Sequence, residues 1–235
     1  MPVMQRVLLN KGLRMTIPRF CRSLFYPRLQ SAYSKGLSIL AKARMGVITD
    51  SGTKIGVRAK LFNEIIPKCG IGIELGVYKG TLSTFILSTN QPSRLHLVDP
   101  WWKYEANWHW AVGDKSTVRS LGALLIAIED EIASGRVELH IGTSLSVLDV
   151  FEDNYLDWAY VDSTHAYEQT KAELALLKHK VKPSGIIAGD DWRENPEHRH
   201  HGVYRAVQEF LIEEPSYRLV FQEDAQWAVS HDTKE

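Results

Sequence analysis

The stretch Asp157 to Trp192, DWAYVDSTHAYEQTKAELALLKHKVKPSGIIAGDDW, constrains the fold more than any other part of the chain. Trp158-Ala159-Tyr160-Val161 is a short β-prone run that ends in an acid, Asp162. From Ala166 to Val181 the apolar residues Tyr167, Leu174, Leu177 and Val181 recur near helical spacing, with Glu and Lys between them. Pro183-Ser184-Gly185 is expected to stop that helix, and Gly185 to Gly189 reads as a second buried strand ending in Asp190 and Asp191. Strand, helix and strand of these lengths make a parallel βαβ unit, and open parallel sheets bind ligands beyond the carboxyl ends of their strands. Asp162, Asp190 and Asp191 should therefore meet at one functional edge. Clustered carboxylates repel one another. They call either for a hard divalent cation such as Mg²⁺ or for a role in capping the next helix and binding a cofactor ribose. His165, three residues after Asp162, is either a general base at the same edge or a half-buried polar residue.

Upstream, Asp50 or Ser51 can cap a helix running to about Ile66, with Ile55, Ala59, Phe62, Ile65 and Ile66 as its apolar stripe. A first strand, Ile71 to Leu75, leads into Glu74-Leu75-Gly76-Val77-Tyr78-Lys79-Gly80 and a helix from Thr81 to about Ser88. Glycines at 76 and 80 permit a sharp turn and a close ligand, and the helix N-terminus behind them favours anionic groups. The spacing differs from the dinucleotide G-x-G-x-x-G pattern. Glu-x-Gly-x-x-x-Gly in this place points to S-adenosylmethionine, the alternative being a strand-to-helix turn with no ligand. A second strand, Arg94 to Val98, ends at Asp99, twenty-five residues after Glu74, where an acid can accept both ribose hydroxyls. The loop that follows holds Trp101, Trp102, Tyr104, Trp108 and Trp110, either a pocket wall or a hydrophobic plug. A long helix over Ser116 to Ser134 precedes a third strand, Val137 to Ile141. Ser144 after it can bond an adenine edge or cap the helix starting at Leu145. Residues 192–201, with His198, His200 and His201, read as a polar lid rather than a zinc site. A helix from Gly202 to about Glu213 and two closing strands, Tyr217 to Gln222 and Gln226 to Ser230, complete seven strands.

Charge divides the chain. Residues 1–49 carry nine Lys and Arg and no acid, so the other 19 of the 28 basic residues face all 28 acidic ones. This start could be an organelle-targeting segment, an arm for an anionic membrane or nucleic acid, or a helical extension packed on the domain or on a second subunit. A secretory signal is not expected, because no apolar region follows the first charges. The domain reading is a basic extension over 1–49 and one α/β domain over 50–235. The two cysteines, Cys21 and Cys69, have no metal or redox spacing, which fits a reducing, cytoplasmic setting. No apolar run has the length of a membrane span.

The motifs IELGVYKG (73–80), LVDPW (97–101), GTS (142–144) and YVDSTHAYEQTKAELALLKHKVKPSGIIAGDDW (160–192) resemble those of the class I S-adenosylmethionine-dependent methyltransferases. Within that class the chain resembles the group of macrocin-type sugar O-methyltransferases and cephalosporin-hydroxylase-like proteins, from about Ile71 to Ser230. The resemblance implies a Rossmann-like sheet of seven strands, mostly parallel, with a C-terminal antiparallel hairpin and an N-terminal helical extension. It implies that Glu74, Gly76 and Asp99 bind S-adenosylmethionine, and Tyr78, Gly80, Ser144 and Asp162 are further candidates for cofactor binding. It further implies that Asp162, Asp190 and Asp191 hold Mg²⁺ against a substrate hydroxyl, with His165 as the base. Ser184 stands where the group usually has glycine, and Ser163-Thr164 replaces a glycine-containing sequence. The expected activity is Mg²⁺-dependent O-methylation of a small hydroxylated molecule such as a sugar, glycoside or phenol, with no specific nucleic-acid recognition and homo-oligomerisation open. The rivals are a non-catalytic cofactor-binding scaffold, against which the acid cluster speaks, and a hydroxylase-like relative, which would want a two-His-one-carboxylate set that the spacing does not display.

Overall fold

The structure, a computed structural model, describes residues 53–101 and 115–232. The basic segment 1–49 and the aromatics Trp102, Tyr104, Trp108 and Trp110 lie outside the described residues. The elements run α1 (Thr53–Lys60), β1 (Ile71–Leu75), α2 (Thr81–Thr89), β2 (Arg94–Asp99), α3 (Lys115–Ala127), α4 (Glu129–Ala133) and β3 (Val137–Ile141). They continue with α5 (Ser144–Leu148), β4 (Leu156–Val161), α6 (Tyr167–Lys180), β5 (Val181–Gly189), α7 (His201–Glu213), β6 (Tyr217–Glu223) and β7 (Gln226–His231).

The seven strands form one sheet in the order β3-β2-β1-β4-β5-β7-β6. The first five pair parallel, while β7 runs antiparallel between β5 and β6. This is the expected sheet with its closing hairpin. Side chains of the buried strands alternate between two apolar cores. Leu95, Leu97, Trp158, Tyr160 and Ala188 face one side, under the chain that follows α1 and under α2 and α3. Ile73, Leu75, Ala159, Val161 and Ile187 face the other, under α5, α6 and α7. Because successive strand residues point to opposite faces, a sheet covered on both sides needs apolar residues at nearly every position. The runs IGIEL, LHLVD and WAYV supply them.

Three boundaries differ from the sequence reading. The helix from residue 53 does not continue regularly to Ile66: Leu61–Ile65 is a π-turn, closed by Ile66 N donating to Leu61 O at 3.1 Å. The long helix after residue 115 breaks at Ile128, whose φ of −120° and ψ of 23° leave the helical region, and resumes as α4. The Pro183-Ser184-Gly185 stop is part of a strand. Helix α6 ends at Lys180 and β5 begins at Val181, with a register break between Leu156 and Trp158 on the neighbouring strand. Proline is tolerated there because its missing N–H falls where the ladder slips. Among the described residues, no helix is long and apolar enough to cross a membrane.

Candidate active site

A cavity of about 420 Å³ opens at the carboxyl ends of the central parallel strands, lined by the turns after β1, β2, β3 and β4. That volume is within the range of small-molecule and cofactor sites. The turn after β1 is shaped by Gly76, whose φ of 92° is left-handed and whose added Cβ would stand 2.1 Å from the Asp162 carbonyl oxygen. The glycine is required because two backbone turns touch. Gly80, also left-handed at φ 74°, begins α2 with its Cα against Leu124 and is not on the cavity wall.

Asp99 ties this turn to β2. Its Oδ2 accepts from Val77 N at 3.0 Å and Tyr78 N at 2.9 Å, and its Oδ1 accepts from Trp101 N at 2.7 Å. Burial raises its pKa, while those three N–H donors pull it back. The Asp99 carboxylate thus holds the glycine turn in shape and still lines the cavity. Trp101 is a plug: it is buried, and its indole N–H donates to Tyr78 O at 2.9 Å.

Glu74 lies in the floor, 1% exposed, accepting from Ser83 Oγ at 2.7 Å. Burial pushes its carboxyl up to about 8, against the pull of Ser83 and Arg58 and with the help of Asp162 and Asp99. Ser144 faces the cavity but does not cap α5. Thr143 is the cap, with its side chain accepting from Ser146 N. Ser144 Oγ instead donates to Glu173 and accepts from Gln169 Nε2 at 2.7 Å. Glu173 also accepts from Ser163 Oγ at 2.9 Å, so one fully buried acid on α6 fastens the turns after β3 and β4 together.

The three aspartates do converge, each offering an oxygen within 4.8 Å of the others. What they meet there is protein. Arg58 of α1 donates through one guanidinium nitrogen, Nη2, to Asp162 Oδ2 at 3.2 Å and to Asp190 Oδ2. The other oxygen of Asp190 accepts from Gln226 Nε2 and from Asp191 N, both at 2.7 Å. Gln226 in turn accepts from the Tyr160 hydroxyl at 2.7 Å, and Arg58 stands 5.5 Å over the Tyr160 ring. Burial opposes charge on Arg58, but the fields of Tyr160, Asp162, Asp190 and Glu74 outweigh it and raise its pKa above the usual arginine value. Asp191, at φ 63°, points elsewhere: its Oδ2 lies 3.2 Å from His165 Nδ1 and 2.8 Å from His200 Nδ1. His165, itself at φ 59°, lines the cavity, whereas Asp190 and Asp191 do not. Residues with left-handed backbone outside glycine cost energy and tend to gather at functional sites.

Two features escaped the sequence reading. Arg58 stands three residues after Ile55 and four before Phe62, on the stripe side of its helix, and a charge on an apolar face was the available signal. His200, thirty-five residues after His165 and nine after Asp191, joins them, so the two-His-one-carboxylate set absent from the linear spacing is present in space.

The sheet order and a cavity at the central strand ends define a Rossmann-like α/β fold with its site at the carboxyl edge of the sheet. Residues 73–192, more than half of the chain, match the family described as "Methyltransferase domain", and the chain belongs to that family. No curated protein gives a significant match. Among solved structures, the chain is similar to a Corynebacterium glutamicum protein from a structural genomics programme (TM-score 0.55, 12% identity, 89% of this chain and 98% of that one). It is also similar to a provisionally assigned rRNA methylase of Clostridium thermocellum (TM-score 0.54, 11% identity, 80% and 100%). A provisionally assigned methyltransferase of Escherichia coli is a third (TM-score 0.51, 13% identity, 80% and 91%). At these identities the likeness is one of fold.

Proposed function

We propose that the protein is an S-adenosylmethionine-dependent O-methyltransferase acting on a hydroxyl of a small molecule, with His165 as the base. The observation that carries this reading is the His165–Asp191 pair, 3.2 Å apart, with the imidazole on the wall of the cavity that the glycine turn and Asp99 also line. The residues fit the cofactor chemically. Asp99 keeps a lone pair beyond its three backbone bonds for a ribose hydroxyl, Tyr78 and Ser144 flank the cavity, and Glu74 in the floor carries a carboxyl that a cationic group can bring to its charged form. When bound, S-adenosylmethionine supplies an electrophilic methyl group and a neutral thioether as leaving group.

His165 removes the acceptor proton as oxygen takes the methyl carbon, and Asp191 orients the ring and stabilises the imidazolium that forms. Ser163, fastened by Glu173, helps fix the turn that presents His165. The Mg²⁺ expected at Asp162, Asp190 and Asp191 does not fit the residues as arranged. A guanidinium is bonded to the two oxygens the ion would bridge, and the Asp190 side chain is 1% exposed. No step is therefore drawn through a metal.

Calorimetric titration with S-adenosylmethionine, followed by mass-spectrometric detection of methyl transfer to a panel of sugars, glycosides and phenols, tests the reading. His165→Ala should keep cofactor affinity and lose turnover. A protein that binds no cofactor, or a His165→Ala variant with full turnover, refutes it.

A further inference from the structure

Paired carboxylates at strand ends need a cation, and in this chain the cation is covalently attached. We propose that Arg58 stands in the place of a divalent metal between Asp162 and Asp190, so that the site works without one. Mg²⁺ demands near-octahedral oxygen ligation at about 2.0–2.1 Å and normally keeps several waters. Here the Nη2 of Arg58 lies between the same two oxygens, 3.2 Å from that of Asp162 and in hydrogen-bond contact with that of Asp190. An ion bridging them would displace the guanidinium. Asp190 has no second oxygen to offer, because Gln226 Nε2 and Asp191 N both donate to Oδ1 at 2.7 Å.

The surroundings are built for a fixed organic cation. Tyr160 presents its ring to Arg58 at 5.5 Å, the geometry of a cation–π contact, and its hydroxyl holds Gln226. Leu61 and Phe62, both fully buried on the next turn, anchor the helix that carries the arginine. The Arg58 Nε is buried without a partner among the described residues. A guanidinium so incompletely bonded is a poor device for stability alone, since an unsatisfied buried donor is costly. Its place is explained by the two carboxylates, whose charge it offsets.

The consequence for chemistry rests on the methyl-transfer reading. A metal would chelate two neighbouring hydroxyls and acidify one of them. Arg58 chelates nothing, so the acceptor must lose its proton to His165 unaided. Acceptors whose hydroxyl is already acidic, phenols rather than sugar diols, are those the site can serve.

The test is titration of the full-length protein with Mn²⁺, the paramagnetic stand-in for Mg²⁺, followed by the free-ion EPR signal. Wild type and Arg58→Lys should leave that signal unchanged at millimolar ion. A folded Arg58→Met should remove about one ion per chain, and adding Asp190→Asn should abolish that gain. Wild type binding about one Mn²⁺ per chain, lost in Asp190→Asn, overturns the proposal whether or not Arg58→Met folds. A folded Arg58→Met that gains no ion overturns it too. Cofactor calorimetry in the presence of a chelator runs in parallel. Absence of cofactor binding there counts against the methyl-transfer reading, while the ion count still decides the role of Arg58.

Discussion

Replacing Glu74 by Gln isolates a buried acid in the floor of the site. Its carboxyl moves from an ordinary value of 4.5 to about 8 because burial penalises the charged form. A raised pKa in the folded state means that stability is fully present below pH 4.5 and is lost as pH climbs to about 8, where the unfolded chain has long released its proton. A difference of roughly 3.5 units at about 1.36 kcal/mol each gives a ceiling of about 5 kcal/mol, reached only above pH 8. Glutamine keeps an oxygen for the Ser83 hydroxyl but cannot ionise. The variant should therefore match wild type near pH 4.5 and exceed it by a few kcal/mol at pH 9, up to that ceiling of about 5 kcal/mol. Urea unfolding of both proteins between pH 5 and 9, plotted as the difference between them, removes the groups common to both. A flat difference across that range would refute the assignment of a protonated, buried Glu74. The same logic predicts that a cationic cofactor drives a proton off Glu74 in wild type, so its binding enthalpy near neutral pH should depend on buffer ionisation, and that of Glu74→Gln should not.

Asp99→Asn would aim an amide N–H at backbone donors that now share a carboxylate. A loss of about 1–3 kcal/mol, roughly five- to 150-fold in S-adenosylmethionine affinity, is expected by calorimetry, and unchanged affinity would show that Asp99 shapes nothing the cofactor uses. His96 is buried between His140, 2.9 Å from its Nδ1, and Tyr155, 3.2 Å from its Nε2, and burial pushes it down to about 4. A lowered histidine pKa contributes stability above pH 6.5 that disappears as pH falls toward 4, the opposite sign to Glu74. His96→Phe should flatten the acid limb of the melting temperature against pH, and an unaltered acid limb would contradict it. At Gly72→Ala the new Cβ would sit 2.0 Å from the Trp158 ring in the middle of the sheet. A destabilisation of about 1–3 kcal/mol should appear in the same unfolding assay.

Local pattern carried much of this structure. The runs 157–162 and 185–191 announced two parallel strands with acids at their ends, and Glu74 and Asp99 marked two more strand ends, because alternation and helical period are properties of neighbouring residues. The same local rules misjudged Pro183. A proline normally ends an element, but in β5 it falls beside a slip in the pairing with β4 that depends on a strand some twenty-five residues away.

Local pattern along the chain set the class of fold, the strand ends that form the site, and the presence of three carboxylates and a histidine there. Which cation meets those acids emerges only when distant segments pack together. Arg58 meets its partners across 104 and 132 residues of chain, and His200 meets Asp191 only when the loop after β5 folds back. Charge compensation depends on distance in space, and spacing along a chain cannot report which cation arrives first.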